Sequence, residues 1–177
     1  LVIATLGAAL PLSMVAPTLA ITADQFGTTA AESSWTLTIV LVVAATTTPV
    51  IGRLGDTFGP RLVLLILIPV VMVGLAIAGL AGSMGELIAG RTLQGLGGGV
   101  FPLAIALARR VVPEAQRPLA VGLLTGTFAT GTGLGVVIAG ILVDRVGTQA
   151  LAWLPFALLA VAGVMTFGLA EAPRADR

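Results

Sequence analysis

Apolar residues along this chain fall in long, nearly charge-free blocks, without the alternating or three-to-four spacing that marks an element with one wet face. Short polar breaks divide it into six blocks, near 1–22, 33–53, 60–81, 84–108, 116–143 and 149–170. Each block matches the ~20 residues a helix needs to cross roughly 30 Å of hydrocarbon. Lipid offers no hydrogen-bond partners to an open strand or coil, so helices are the spanning form for segments of this length. The pattern predicts an all-α, polytopic membrane domain of six transmembrane helices filling 1–177. The breaks carry helix punctuation: Ser33 and Ser34 offer a cap ahead of Trp35, Pro60 suits a first turn, and 115–118 reopens the fifth span. Residues 1–20 lack a basic leader and outrun the core of a secretion signal, so they read as a first span.

Composition removes the soluble alternative. The chain is 57% hydrophobic and 10% charged, against roughly 45–50% and about 25% for soluble domains. Cysteine and histidine are both absent, which excludes disulfides, imidazole proton relays and the usual zinc ligands; no metal or cofactor is expected. The net charge of +1 says nothing about partners; no nucleic-acid partner is expected. Placement of charge says more. All nine basic residues are Arg. Arg53 and Arg61 flank the second break, Arg109, Arg110 and Arg117 crowd the fourth, and Arg174 and Arg177 follow the last span. Six spans put these on one face, which the positive-inside tendency makes cytoplasmic, together with the N-terminus. The opposite face keeps Arg145, with Trp35 and Trp153 at helix starts where an interfacial aromatic belt lies.

An internal repeat carries the most information. Gly52, Leu54, Asp56 and Gly59 recur at the same spacing as Gly140, Leu142, Asp144 and Gly147. Each copy closes the second helix of a three-helix set, and an odd number of spans separates the copies, which places them on opposite faces. The six spans are thus expected to be two inverted three-helix repeats, a construction used by secondary transporters.

The first copy, Gly52-Arg53-Leu54-Gly55-Asp56-Thr57-Phe58-Gly59-Pro60-Arg61, resembles the signature between helices 2 and 3 of the major facilitator superfamily. It matches at Gly52, Leu54, Asp56, Gly59 and Arg61, and departs at Thr57, where the family prefers a basic residue. In physical terms Gly52 lets a neighbouring helix approach, Gly59 permits a tight reversal and Pro60 starts the next helix. Asp56 sits at the negative end of one helix and the positive start of another, within reach of Arg109 or Arg110. The two readings are a conformational latch and a solvated loop carboxylate. A second stretch, Arg91-Thr92-Leu93-Gln94-Gly95-Leu96-Gly97-Gly98-Gly99, resembles the superfamily's helix 4 signature. Arg at the centre of a membrane helix costs about 2.5–3.5 kcal/mol on insertion scales, so Arg91 either faces protein or a wet cavity beside Gln94 and Gly95, or snorkels to headgroups.

The fifth span carries Gly122, Gly126, Gly131, Gly135 and Gly140, and is similar in part to the helix 5 signature of drug efflux antiporters. Val136 stands where that signature has Pro, and Ala139 where it has Gly. Close packing of Gly131, Gly135 and Gly140 against the first span is the structural counterpart of that reading. Efflux members also carry an Asp in helix 1 about nine residues ahead of a Pro; here Pro17 is preceded at that place by Ala8. The acids Asp24, Glu32, Asp56, Glu86 and Asp144 all fall near interfaces, so a proton-carrying acid is expected in a further half. Threonines at 46–48 and at 125, 127, 130 and 132 either line a cavity or bond to their own backbone. Gly97-Gly98-Gly99 follows no strand and is no phosphate loop.

Taken with the resemblance, the residues imply a non-enzymatic transporter that exports small amphipathic molecules or drugs against protons by alternating access. It is expected in a cell membrane, joined to a C-terminal half of six or eight helices. A same-fold metabolite transporter is the alternative; a membrane sensor or scaffold is the reading from another class.

Overall fold

A computed structural model describes residues 1–168, apart from the side chains at 142, 144 and 146. The expected end of the sixth span at 170 and the terminal Arg174 and Arg177 lie outside the described residues, as do the side chains of Leu142 and Asp144 in the second copy of the repeat. All the described elements are helical. They are α1 (Val2–Phe26), α2 (Ala30–Phe58), α3 (Pro60–Leu80), α4 (Met84–Gly95), α5 (Val100–Val111), α6 (Arg117–Ala150) and α7 (Trp153–Gly168). Five stretches are long and apolar enough to cross a membrane on their own: α1, α2, α3, Glu114–Ile141 and Gly147–Gly168. The fourth expected span is not one continuous α-helix. Its run of glycines tightens into a 3₁₀ segment over Leu96–Gly99 that joins α4 to α5.

Local chemistry accounts for most of the boundaries. Pro60 opens α3, where its missing N–H costs nothing. The start of α2 differs from the expectation at Ser33 and Ser34: Thr29 is the N-cap, in a reciprocal box with Glu32. The Glu32 N–H donates to Thr29 Oγ1 over 3.2 Å and the Thr29 N–H donates to Glu32 Oε2 over 2.9 Å. Ser33 and Ser34 instead bond back to the Ala30 and Ala31 carbonyls inside the helix. Ser83 caps α4 by accepting from the Glu86 N–H. Gly147, at φ 75° and ψ 168°, kinks α6, so the fifth span ends there and the turn into the sixth begins.

Packing follows the two-repeat plan. The tightest associations are α1 with α6, α3 with α4, and α2 with the fourth span. If α1–α3 form one set and the remaining helices the other, first-with-fifth and fourth-with-second are the same contact seen twice. Leu64, Ile68, Val71 and Leu75 of α3, Val100, Leu103 and Leu107 of α5, and Leu159 of α7 form the central core. The faces of α2 and α6 are left mostly open.

Contacts at the helix ends show the alternation of the spans directly. Thr148 donates to the Gln25 side chain at the end of α1, and Gln149 donates to the carbonyl of Ala81 just past α3. At the other end, Arg61 reaches the carbonyls of Thr166 and Phe167 in α7, and Arg110 lies over Gly59.

Candidate functional site

The first motif closes α2. Gly55 is pressed against α5, where a Cβ would run into Leu103, so the helix end is fixed to the fourth span by contact. Gly59 takes φ 96° and ψ 137° and passes the chain straight from α2 into α3, in a region that L side chains rarely adopt. Asp56 is exposed in the last turn of α2, and Leu54 is 41% exposed beside it. Arg109 and Arg110 are exposed in the last turn of α5. Arg110 Nη1 comes to 3.8 Å from where a Cβ on Gly59 would stand. The pair expected between Asp56 and Arg109 or Arg110 is not closed among the described residues; the arginine lies over the glycine that follows the aspartate. Arg61 turns away from Asp56, its Nη2 donating to the Phe167 carbonyl over 2.9 Å.

Gly52 departs from the packing role expected of it. Nothing lies within 4 Å of a Cβ built there, and the same holds for its repeat mate Gly140. Both sit on the open sides of α2 and α6. Gly131 and Gly135 do pack as expected: a Cβ at Gly131 would lie 2.9 Å from Ala9 Cβ, and one at Gly135 would lie 2.8 Å from the Leu10 carbonyl. The fifth span therefore carries two glycine faces. Gly131, Gly135 and the buried Ala139 meet α1, whereas Gly122, Gly126, Gly133 and Gly140 meet open space.

The second motif resolves into a relay between helices. Arg91 Nη1 donates to Gln94 Oε1 over 2.9 Å, and Gln94 Nε2 donates to the Gly74 carbonyl of α3 over 3.1 Å. Gln94 is 2% exposed. Arg91 faces the interior between α1, α3 and α7, beside a cavity of about 10 Å³ lined by Pro11, Thr18, Leu75, Leu151 and Pro155 among others. That is room for about one water, and Arg91 Nε is buried there without a partner. Arg91 is half-buried at this point, with its side chain turned to Gln94. Gly95 is not part of a cavity: a Cβ there would meet the Val40 carbonyl at 2.9 Å, and one on Gly98 would meet Ala44 Cβ at 2.9 Å. The glycines of the fourth span seat α2, and among the described residues Gln94 is the side chain that accepts from Arg91.

The hydroxyls settle in favour of their own backbone. Thr46, Thr47 and Thr48 donate to carbonyls at 42–44, and Thr125, Thr127 and Thr132 to carbonyls one turn back. Thr130, which lines an open groove with Leu6, Gly126 and Thr127, is outside this pattern. The acids Asp24, Glu32, Asp56, Glu86 and Glu114 are all exposed; Arg91, by contrast, is half-buried beside the cavity.

Five to six apolar helices with close glycine packing and a half-buried arginine fit half of a transport domain in a multi-pass membrane protein. Comparison with known proteins gives the particular family. The sequence pattern of the Major Facilitator Superfamily matches residues 1–177, and the chain belongs to that superfamily of transporters. It is 34% identical over 151 residues to the tetracenomycin C resistance and export protein of Streptomyces glaucescens, covering 83% of this chain and 28% of that protein. An uncharacterized MFS-type transporter of Mycobacterium tuberculosis is 34% identical over 179 residues, with 98% of this chain and 26% of that protein covered. The multidrug transporter protein MdtP of Bacillus subtilis is 30% identical over 131 residues, 72% of this chain and 24% of its own length. The chain thus spans about a quarter of the length of these relatives.

Proposed function

We propose that this domain is the N-terminal half of an exporter of small amphipathic molecules, driven by proton exchange and working by alternating access. The observation that carries the reading is the likeness of 83% of the chain to a tetracenomycin C export protein and of 72% to a multidrug transporter. The open sides of α2 and α6 fit the docking of a second helical half, with the substrate path between the two. Latch residues Asp56, Arg109 and Arg110 lie at one end of this domain, together with Gly59; Arg91 and Gln94 lie within it. In this reading the latch end is cytoplasmic, the membrane is the cell membrane, and the N-terminus is cytoplasmic. All five acids whose side chains are described are exposed near helix ends, so the proton-carrying group belongs to the second half.

The test is flux. Inside-out vesicles holding the full-length protein should accumulate a lipophilic cationic dye when the lumen is acidified, and a protonophore should abolish the accumulation. Dye binding without accumulation would overturn the transport reading in favour of a sensor. A second reading has a specific observation behind it: a probable 4-methylmuconolactone transporter of Cupriavidus pinatubonensis is 37% identical over 145 residues. Accumulation of small organic acids in preference to dyes would select a metabolite transporter of the same fold.

A further inference from the structure

The two copies of the repeat share more than their glycines. Arg61 stands two residues after Gly59, and Gln149 two residues after Gly147. Arg61 Nε and Nη2 donate to the carbonyls of Thr166 and Phe167, at 3.4 and 2.9 Å, in the last described turn of α7. Gln149 Nε2 donates to the carbonyl of Ala81, the residue that ends α3. Helices α3 and α7 are the third members of their respective three-helix sets. Each copy thus sends the side chain two positions past its kinked glycine to the carbonyl end of the third helix of the other set. The last carbonyls of a helix lack intrahelical partners and carry its negative dipole end, which a donor side chain satisfies.

We propose that Arg61 and Gln149 are paired positioning residues that clamp the two inverted repeats together, one at each membrane face, so that the six-helix half moves as one body. The proposal rests on the transporter reading for its purpose and on the two capping contacts for its geometry. Two features of the contacts support a permanent clamp over a moving gate. Each clamp joins parts of the same half, and the chain turn that presents it is set by a glycine at positive φ. The difference in charge also follows from position: Arg serves at the face rich in arginine, and a neutral amide does the same work at the face that keeps few. At the outer face a further bond, from Thr148 to Gln25, ties α1 into the same corner.

The test uses the full-length protein, whose described half contains no cysteine. Hydrogen exchange should quicken about fivefold around 81–83 in Gln149→Ala and at the end of α7 in Arg61→Ala, the scale expected for loss of one hydrogen bond. Gln149→Arg and Arg61→Gln, which keep a donor, should restore protection. Unchanged exchange in both alanine variants would overturn the proposal. For a readout that does not depend on the alanine variants folding, cysteines at 81 and 149 are bridged by a short bifunctional thiol reagent. A bridged protein that transports as well as the unbridged one supports a permanent clamp; loss of transport on bridging, with recovery on reduction, would make the contact a gate and refute it. If wild-type protein moved no solute, the exchange measurement would still decide the clamp while the transporter reading failed.

Discussion

Gly59 and Gly147 hold the same place in the two copies of the repeat and the same kind of backbone, at φ 96° and 75°. Each passes the chain from one helical segment to the next without a loop. The space around them is open: no atom lies within 4 Å of a Cβ at Gly147, and at Gly59 the nearest is Arg110 Nη1 at 3.8 Å. The cost of a side chain at either position is therefore in the backbone alone. Gly59→Ala and Gly147→Ala are each expected to destabilise the protein by about 1–3 kcal/mol. Thermal unfolding in detergent checks this, and a wild-type midpoint for both would show that the kinks relax freely.

Asp56 separates latch from loop. Its carboxylate is exposed beside Gly59, over which Arg110 lies. A contact that closes in only some conformations shifts their balance when it is lost. Asp56→Asn keeps the shape and removes the charge, so transport should fall strongly while expression and substrate binding stay near normal. Full transport by this variant would return Asp56 to the role of a solvated end residue.

The chain from Arg91 through Gln94 to Gly74 predicts coupling within the bundle. Gln94→Leu removes the acceptor for Arg91 Nη1 and the donor to the Gly74 carbonyl together. A double-mutant cycle between Arg91→Met and Gln94→Leu should give an interaction energy of about 1.5–3 kcal/mol, the range for a hydrogen bond to a charged group. Additive single effects would mean that the two side chains act independently.

The two glycine faces of the fifth span make opposite predictions. Gly131→Val and Gly135→Val drive a side chain into Ala9 and the Leu10 carbonyl and should cost about 1–3 kcal/mol, the usual penalty of overpacking. Gly52→Ala and Gly140→Ala meet no atom of another helix among the described residues and should not destabilise the domain. Equal destabilisation by all four would show that the glycines serve helix flexibility rather than contact.

Orientation is open to a direct measurement because the chain has no cysteine of its own. Thr57 and Arg145 are both exposed and belong to opposite corners of the repeat. Cysteines placed there should react with an impermeant thiol reagent from opposite sides of the membrane, the one at 57 from the cytoplasm. Labelling from a single side would break the alternating scheme.

How far the sequence reached depends on the range of the forces involved. Helical form and the length of the continuous spans were legible because the hydrocarbon thickness sets block length and lipid forbids unsatisfied backbone. The repeat was legible because its glycines answer a local backbone demand: Gly59 and Gly147 are needed at positive φ whatever surrounds them. The capping box at Thr29 and Glu32 was equally local, and its Thr-x-x-Glu spacing was the signal that reading a cap at Ser33 passed over. What a glycine touches is another matter. Gly95 and Gly135 seat neighbouring helices while Gly52 and Gly140 face open space, and nothing in a single span distinguishes them, since contact depends on which face the partner takes. Likewise Arg91 was visible as an anomaly, but its bond to Gln94 and the reach of Gln94 to Gly74 required α3 to be in place. The caps made by Arg61 and Gln149 join residues far apart in the chain. Only the closing of one three-helix set on the other brought them together, because a helix end announces its unpaired carbonyls in sequence but not the side chain that will satisfy them.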